Sequence, residues 1–439
     1  MALTMTTRPR PRVAHALQLL RAHGHLLVAF VALAVLYASV YAPFGPRLGL
    51  FADDFAELQT ATTENFAQLI RSWPLDYRPL EILPWIAARH LADMHLAWYY
   101  AGFFLIEAIA GLLLYVLLYR WTRAPLLALG VALLWATYPA DEAVFWLTTV
   151  AYRTGALFLF LALLLLTPSG DRALPRWRYV AAIASALLCV YSNELYLGLL
   201  CALPALAARR HAGASWRQRL GRACPFVAVL VTYTLYRMWF GPHVLHFYDN
   251  KGWAYEFSAA HMANQWGDGW RAIAVMTWQR VFVYPSAVTW AVGIVCAGAA
   301  GVTALWLAYG RLRDSESGSA RIRALTPGLL AVVIGLVTIA AGYVPLLPIA
   351  IGIDVNGVDS RINAAATPGA ASVLAGLLWI WCYALPVPRH WNRVLFIGVM
   401  ALLIAATAVH TVHLGNAMVG ITNHHPCGNL HYHLHCPAK

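Results

Sequence analysis

Apolar stretches return along the entire chain, and each is broken by Pro, Gly or charged residues only after a length that suits a membrane helix. Eleven are read as candidate spans: 26–43, 96–119, 124–138, 149–167, 179–193, 195–208, 224–241, 284–309, 327–344, 363–385 and 394–414. Two pairs are short or tightly joined, so the pattern accommodates ten to twelve. A membrane β-barrel would show short alternating segments instead. The predicted fold is all-α: a polytopic membrane helical bundle of about 11 spans, forming a single transmembrane domain over 1–439 without a visible internal repeat or soluble module.

The polar positions fall into two kinds. Some breaks are short and Arg-rich. Three stretches are long, at about 44–95, 242–283 and 345–362. In the first, segment 52–72 (ADDFAELQTATTENFAQLIRS) sets Phe55, Leu58, Phe66, Leu69 and Ile70 against Asp54, Glu57 and Glu64, the pattern of a helix lying in the interface. Two interfacial helices are expected in this loop, near 53–71 and 80–92, with Pro79 between them.

Composition agrees with a membrane class. Hydrophobic residues make up 61% of the chain and charged residues 11%, with mean hydropathy +0.61, where soluble domains carry about a quarter charged residues. The net charge of +12 could suggest nucleic acid, but the basic residues sit in small clusters between apolar runs, where they act as orientation signals; no nucleic-acid partner is expected. With the N-terminus retained in the cytoplasm, Arg8, Arg10, Arg12, Arg21, Arg120, Arg123, Arg172, Arg176, Arg178, Arg209, Arg210, Arg217, Arg219, Arg222, Arg311, Arg313, Arg321, Arg323, Arg389 and Arg393 share one side, 20 of the 31 Lys and Arg. Of 19 acids only Asp171, Asp314 and Glu316 join them. Acids hardly affect topology, so their placement on the outer side or in spans asks for another cause, and an external active site supplies one.

The outer stretches hold the residues with chemistry. Phe51-Ala52-Asp53-Asp54-Phe55-Ala56-Glu57 brings three carboxylates together just after the first span. One Asp would serve as a helix cap; a cap does not need two. Arg78 follows in Trp73-Pro74-Leu75-Asp76-Tyr77-Arg78-Pro79-Leu80, at a level suited to paired hydrogen bonds with a phosphate, or to snorkelling. Between the third and fourth spans, Tyr138-Pro139-Ala140-Asp141-Glu142-Ala143-Val144-Phe145-Trp146 and Tyr152-Arg153-Thr154-Gly155 again join acids, an Arg and aromatics. That mixture suits sugar hydroxyls and ring faces; a capped interfacial turn would read the same way. Lys251 and Arg361 add cations in the later outer stretches. Glu107 lies inside a span with no partner evident, and Glu194 stands at the outer end of another. The scattered cysteines Cys189, Cys201, Cys296 and Cys382 read as small core residues. The His/Cys-rich external tail, 415–439, contains Cys427 and Cys436, and a disulfide there is a plainer reading than a metal site.

In order and topological side, these stretches resemble the integral-membrane GT-C glycosyltransferases, the superfamily of protein O-mannosyltransferases and of the transferases that modify lipid A with aminoarabinose. The resemblance rests on the acidic pair Asp53-Asp54, on Arg78-Pro79-Leu80, on the helical pair beginning YPADEAVFW and YRTG, and on Ser192-Asn193-Glu194, where Asn193 replaces a Lys seen in relatives. It covers roughly 26–210; beyond that only the span pattern and Asp359-Ser360-Arg361-Ile362 continue it.

The resemblance implies a multi-pass protein of a bacterial inner (plasma) membrane that transfers a sugar from a polyprenyl-phosphate donor to a glycan, lipid or protein acceptor on the outer face. Asp53 or Asp54 would then be catalytic, with Asp53 favoured as base. Glu57, Arg78, Asp141, Glu142, Arg153, Lys251 and Arg361 would bind substrate. No cofactor is specified, and a divalent metal is left open. The competing class is a lipid or small-molecule transporter or flippase, which would carry repeats and several intramembrane charges; a membrane acyltransferase would rest on His90 and Asp93 alone.

Overall fold

In a computed structural model, the described residues are 11–51, Asp54, Leu58, Arg78, 80–92, 95–167, 174–209, 215–245, 256–281, 319–349, 351–355, 357–385 and 387–424. Among them the chain is all-α. Its longer α-helices are α1 (Pro11–Val40), α2 (Leu83–Ala92), α3 (Leu96–Thr122), α4 (Pro125–Ala136), α5 (Val150–Leu166), α6 (Arg176–Ser192), α7 (Ala202–Arg209), α8 (Trp216–Leu235), α9 (Ala259–Arg271), α10 (Ser319–Tyr343), α11 (Thr367–Ala384) and α12 (Arg389–His424).

Among the described residues six helices are long and apolar enough to cross a membrane: Leu96–Thr122, Leu147–Leu166, Trp216–Phe240, Ala324–Leu346, Thr367–Ala384 and Arg389–Gly420. Each overlaps a span expected from sequence, and the chain is an integral membrane protein. Large apolar side chains such as Leu27, Phe30 and Val31 on α1 and Val333, Leu336 and Val337 on α10 remain exposed, as helices facing lipid require.

The eleven-span count is not reached among the described residues. The apolar stretch of α1 is Gly24–Val40. Helix α4 has 12 residues, all buried, so it extends only about 18 Å against a hydrocarbon core of about 30 Å. Its uniformly apolar sequence is matched by burial among neighbouring helices. The expected span 195–208 breaks at Cys201 into Leu197–Leu200 and α7. Pro204 explains the break, because it cannot donate to the carbonyl four residues earlier yet fits a helix's first turn. The 284–309 span, the interfacial helix near 53–71 apart from Asp54 and Leu58, and the tail from 425 onward lie outside the described residues. Of the two interfacial helices, the second is present as α2.

Polar side chains tie the bundle internally. Tyr41 donates to the Ala136 carbonyl at 2.6 Å, Trp135 Nε1 to Thr367 Oγ1 at 3.1 Å, and Thr137 and Thr407 share a 2.7 Å bond. Where lipid offers no competing partner, such bonds are a main means of joining helices.

Glycine makes the close crossing of α10 on α11. A Cβ on Gly335 would meet the Gly369 carbonyl oxygen at 2.5 Å, and a Cβ on Gly369 would meet that of Gly335 at 2.6 Å. Gly328 and Gly376 repeat the approach two helical turns away, at 2.9 and 2.8 Å. Gly335→Ala is therefore expected to force the helices apart and cost about 1–3 kcal/mol. The melting temperature in detergent would drop; an unchanged value would show that the crossing tolerates a methyl group.

Candidate functional site

The site is built where α3, α5, α11 and α12 meet the turn after α4. That turn runs through Tyr138-Pro139-Ala140-Asp141 into two short 3-10 segments, Glu142–Phe145 and Leu147–Thr149. Pro139 prevents α4 from continuing, so the chain crosses the bundle as irregular backbone whose polar groups need partners. The stretch 354–363 supplies them. Ser360 Oγ accepts from the Ala143 N–H at 3.0 Å, and Asn363 Nδ2 donates to the carbonyls of Ala140 at 3.1 Å and Asp354 at 2.8 Å. Tyr343 donates to Asn363 Oδ1 at 2.7 Å. Thus the stretch before α11 is knitted to the acidic turn, and Arg361 belongs to the helical segment Gly357–Asn363 that does it.

Behind the turn is a cavity of about 40 Å³, room for a few waters or a small polar group. Asp141, Glu107, Arg153, His410, Tyr41 and Tyr152 are among the side chains lining it. Arg153 projects from the first turn of α5, and its Nε lies 3.4 Å from Glu107 Oε2 on α3. Its guanidinium stacks over the Phe104 ring at 5.3 Å. Arg153 is buried, and its Nη1 and Nη2 have no hydrogen-bond partner among the described residues; the same holds for His410 Nε2. A buried donor without a partner costs about 1–3 kcal/mol, more when charged, so these nitrogens are poised for water or a ligand.

Asp54 and Arg78 reach residues beside or in the wall of this cavity without lining it. Asp54 is fully buried. Its Oδ2 accepts from the Phe51 N–H at 2.9 Å and its Oδ1 from the Thr148 N–H at 2.7 Å, one residue before Thr149 of the cavity wall. Phe51 also stacks on Trp146, with centroids 5.6 Å apart. Asp54 thereby fastens the loop after α1 to the acidic turn. Burial raises its carboxyl to about 7, against the lowering effect of those backbone donors.

Arg78 is also buried, and its fork is taken up by Glu194: Nε to Oε2 and Nη2 to Oε1, both 2.8 Å. Nη1 lies 3.5 Å from Glu81, and the guanidinium stacks over Tyr152 at 5.6 Å. Burial pushes the Glu194 carboxyl up, but the Arg78 charge and hydrogen bonds, with Arg237, outweigh it and hold it at about 2. The pair is a buried brace between the first loop and the end of α6. This differs from the expectation of an Arg78 fork directed at a phosphate, because Glu194 already fills that geometry.

Asp53, Glu57 and Lys251 lie outside the described residues. Glu142 opens the Glu142–Phe145 segment. Of the expected residues, the structure places Asp141 and Arg153 on one cavity. Sequence reasoning noted Glu107 without finding its partner and passed over His410, whose one signal was a titratable residue inside the last span. Among the described residues no group of three or more His, Cys, Asp or Glu could hold a metal ion.

An apolar groove of about 530 Å³ lies between α1 and α3, lined by Phe30, Leu33, Tyr37, Trp98, Phe104 and Leu105 among others. Phe104 borders both sites, with the groove on one side and the Arg153 guanidinium over its ring.

No family model matches the sequence, and no curated protein matches it. Among solved structures, the chain is similar to the crystal structure of ArnT from Cupriavidus metallidurans bound to undecaprenyl phosphate, with a TM-score of 0.47 and 13% identity over 91% of this chain and 79% of that one.

Proposed function

We propose that this chain is a membrane glycosyltransferase that takes a sugar from a polyprenyl-phosphate donor and passes it to an acceptor hydroxyl at the outer face of the membrane. The observation that carries the reading is Arg153: a buried guanidinium, positioned by Glu107, with two nitrogens unpartnered among the described residues beside a cavity that Asp141 also lines. A preorganised buried cation is what a departing phosphate needs. The groove between α1 and α3 offers the prenyl chain an apolar bed that reaches Phe104, directly under that cation.

In this reading the acceptor oxygen attacks the anomeric carbon and loses its proton to a carboxylate, with Asp53 the favoured base. The bond between that carbon and the phosphate oxygen breaks, and its electron pair leaves on the polyprenyl phosphate, held by Arg153. Asp54 and the Arg78–Glu194 pair keep the first loop against the site. Glu57, Glu142, Lys251 and Arg361 complete the proposed substrate-binding set.

A second reading, a lipid flippase, draws on the same intramembrane pair of Glu107 and Arg153 next to an apolar groove. Purified protein in detergent, given a panel of polyprenyl-phosphate sugars and acceptor hydroxyls, separates the two. Release of polyprenyl phosphate with formation of a glycoside supports transfer, since a flippase needs two leaflets and makes no new bond. Lipid translocation in vesicles without any glycoside in detergent would overturn the transferase reading.

A further inference from the structure

The groove between α1 and α3 and the Arg153 cavity share an aromatic wall. Tyr37 and Phe104 line the groove, and Tyr41 lines the cavity. The three rings pack on one another: Tyr37 stacks on Tyr41 with centroids 5.2 Å apart, and Tyr41 meets Phe104 at 4.9 Å. Phe104 in turn carries the Arg153 guanidinium over its face at 5.3 Å. Ring packing alone accounts for the aromatic surfaces; the polar atoms of the wall need a separate reason.

The wall holds two hydroxyls, and they differ. The Tyr41 hydroxyl donates to the Ala136 carbonyl at 2.6 Å. Tyr37 is 6% exposed, and its hydroxyl has no hydrogen-bond partner among the described residues. The charges of Glu107 and Arg153 both act on that hydroxyl, so it lies within electrostatic reach of the cavity while its side chain lines the groove. A phenylalanine would fill the same place without an unpaired buried oxygen, which is costly to keep. Among the described groove residues only Trp98 carries another polar side-chain atom, and Trp98 is exposed. An enclosed donor thus stands between an apolar bed and a buried cation.

We infer that Tyr37 binds the phosphate of a polyprenyl phosphate, its hydroxyl donating to a phosphate oxygen where the lipid's polar end passes from the groove to Arg153. This rests on the lipid-donor part of the reading above and adds a residue to it. The wall fits a ligand of two parts: an apolar chain for the groove and, next to it, an anionic oxygen for Tyr37 and Arg153. Glu107 and Asp141 line the cavity, whereas no acid is among the described residues lining the groove. A phosphate is therefore better placed at the wall than deep in the cavity. A hydrogen bond to a charged oxygen is about twice as strong as a neutral one, so Tyr37 favours the phosphorylated lipid over the bare alcohol.

The test measures dissociation constants of the full chain in detergent for a polyprenyl phosphate and for the polyprenol of the same length, by quenching of tryptophan fluorescence. Wild type and Tyr37→Phe are compared, together with the melting temperature of each without lipid. Wild type should prefer the phosphate form. Tyr37→Phe should weaken that form about tenfold and leave the alcohol almost unchanged. Its melting temperature should equal or exceed that of wild type, because phenylalanine keeps the ring stack and removes an unpaired buried group. A lower melting temperature would show that the hydroxyl is bound within the protein, and would overturn the assignment. Equal binding of phosphate and alcohol by wild type would overturn it too, as would an undiminished preference in Tyr37→Phe. Glycoside formation is followed in the same samples. If wild type forms a glycoside and Tyr37→Phe keeps its full preference, this residue's role falls and the transferase reading stands. If wild type forms none and the variant loses the preference, the phosphate contact stands and the transferase reading falls.

Discussion

Arg153→Lys is expected to lower sugar transfer by about 10²–10³ while the protein remains folded. The lysine keeps a positive charge near Glu107, but it lacks the second and third nitrogens of the fork, which in Arg153 have no hydrogen-bond partner among the described residues. Losing one preorganised donor to a developing anion carries about that cost. Arg153→Ala should do more, because it strands Glu107 as an uncompensated charge inside α3. Breaking a buried pair from one side costs about 3–5 kcal/mol, so this variant is expected to express poorly or melt much lower. Pairing it with Glu107→Gln should recover part of the stability and none of the transfer. Transfer rate from a polyprenyl-phosphate donor and melting temperature are measured for all three. Full activity in Arg153→Lys would remove the phosphate-holding role; full activity in the double variant would remove the site from this cavity altogether.

Asp53→Asn and Asp54→Asn are expected to diverge. As the base, Asp53 cannot be replaced by an amide, and transfer should fall by about 10²–10⁴ with the melting temperature nearly unchanged. Asp54 is buried with each carboxylate oxygen accepting a backbone N–H. An amide presents an NH₂ to one of those donors, so Asp54→Asn should cost about 1–3 kcal/mol and reduce transfer only as the loop loosens. The two also differ in pH dependence. Burial raises the Asp54 carboxyl to about 7 in the fold, against an ordinary value of about 4 in an unfolded chain. The folded protein therefore holds this proton more tightly. Its stabilising contribution is complete below about pH 4 and is lost as pH rises through about 7. Wild-type melting temperature should decline across that window, and Asp54→Asn should flatten the decline. Equal loss of transfer in both variants at equal stability would mean that the acids act as one unit; full activity in both would end the carboxylate-base mechanism.

The helical membrane class was legible from the sequence because hydropathy is local: an apolar run long enough to span lipid announces itself without knowledge of its neighbours. The same locality left the count open at α4 and at 195–208. A short helix wholly enclosed by protein and a full membrane crossing present the same apolar residues, and only packing tells lipid from neighbour. The acidic turn at Asp141 was visible because Pro139 and adjacent acids have no place inside a span. The fate of each charge was not visible. Arg78 meets Glu194 across 116 residues, and Arg153 meets Glu107 between two different spans; from sequence each Arg was equally suited to a phosphate. Asp54 looked like a candidate base or a helix cap and became a fastener between two loops, a role defined by Thr148, which lies 94 residues away. Composition and spacing determined which residue types fall in the breaks between apolar stretches. Which of them were consumed by a partner, and which, like Arg153, line a cavity with nitrogens that have no partner among the described residues, was decided by long-range packing, because a buried charge takes whatever partner the fold brings within a few ångströms.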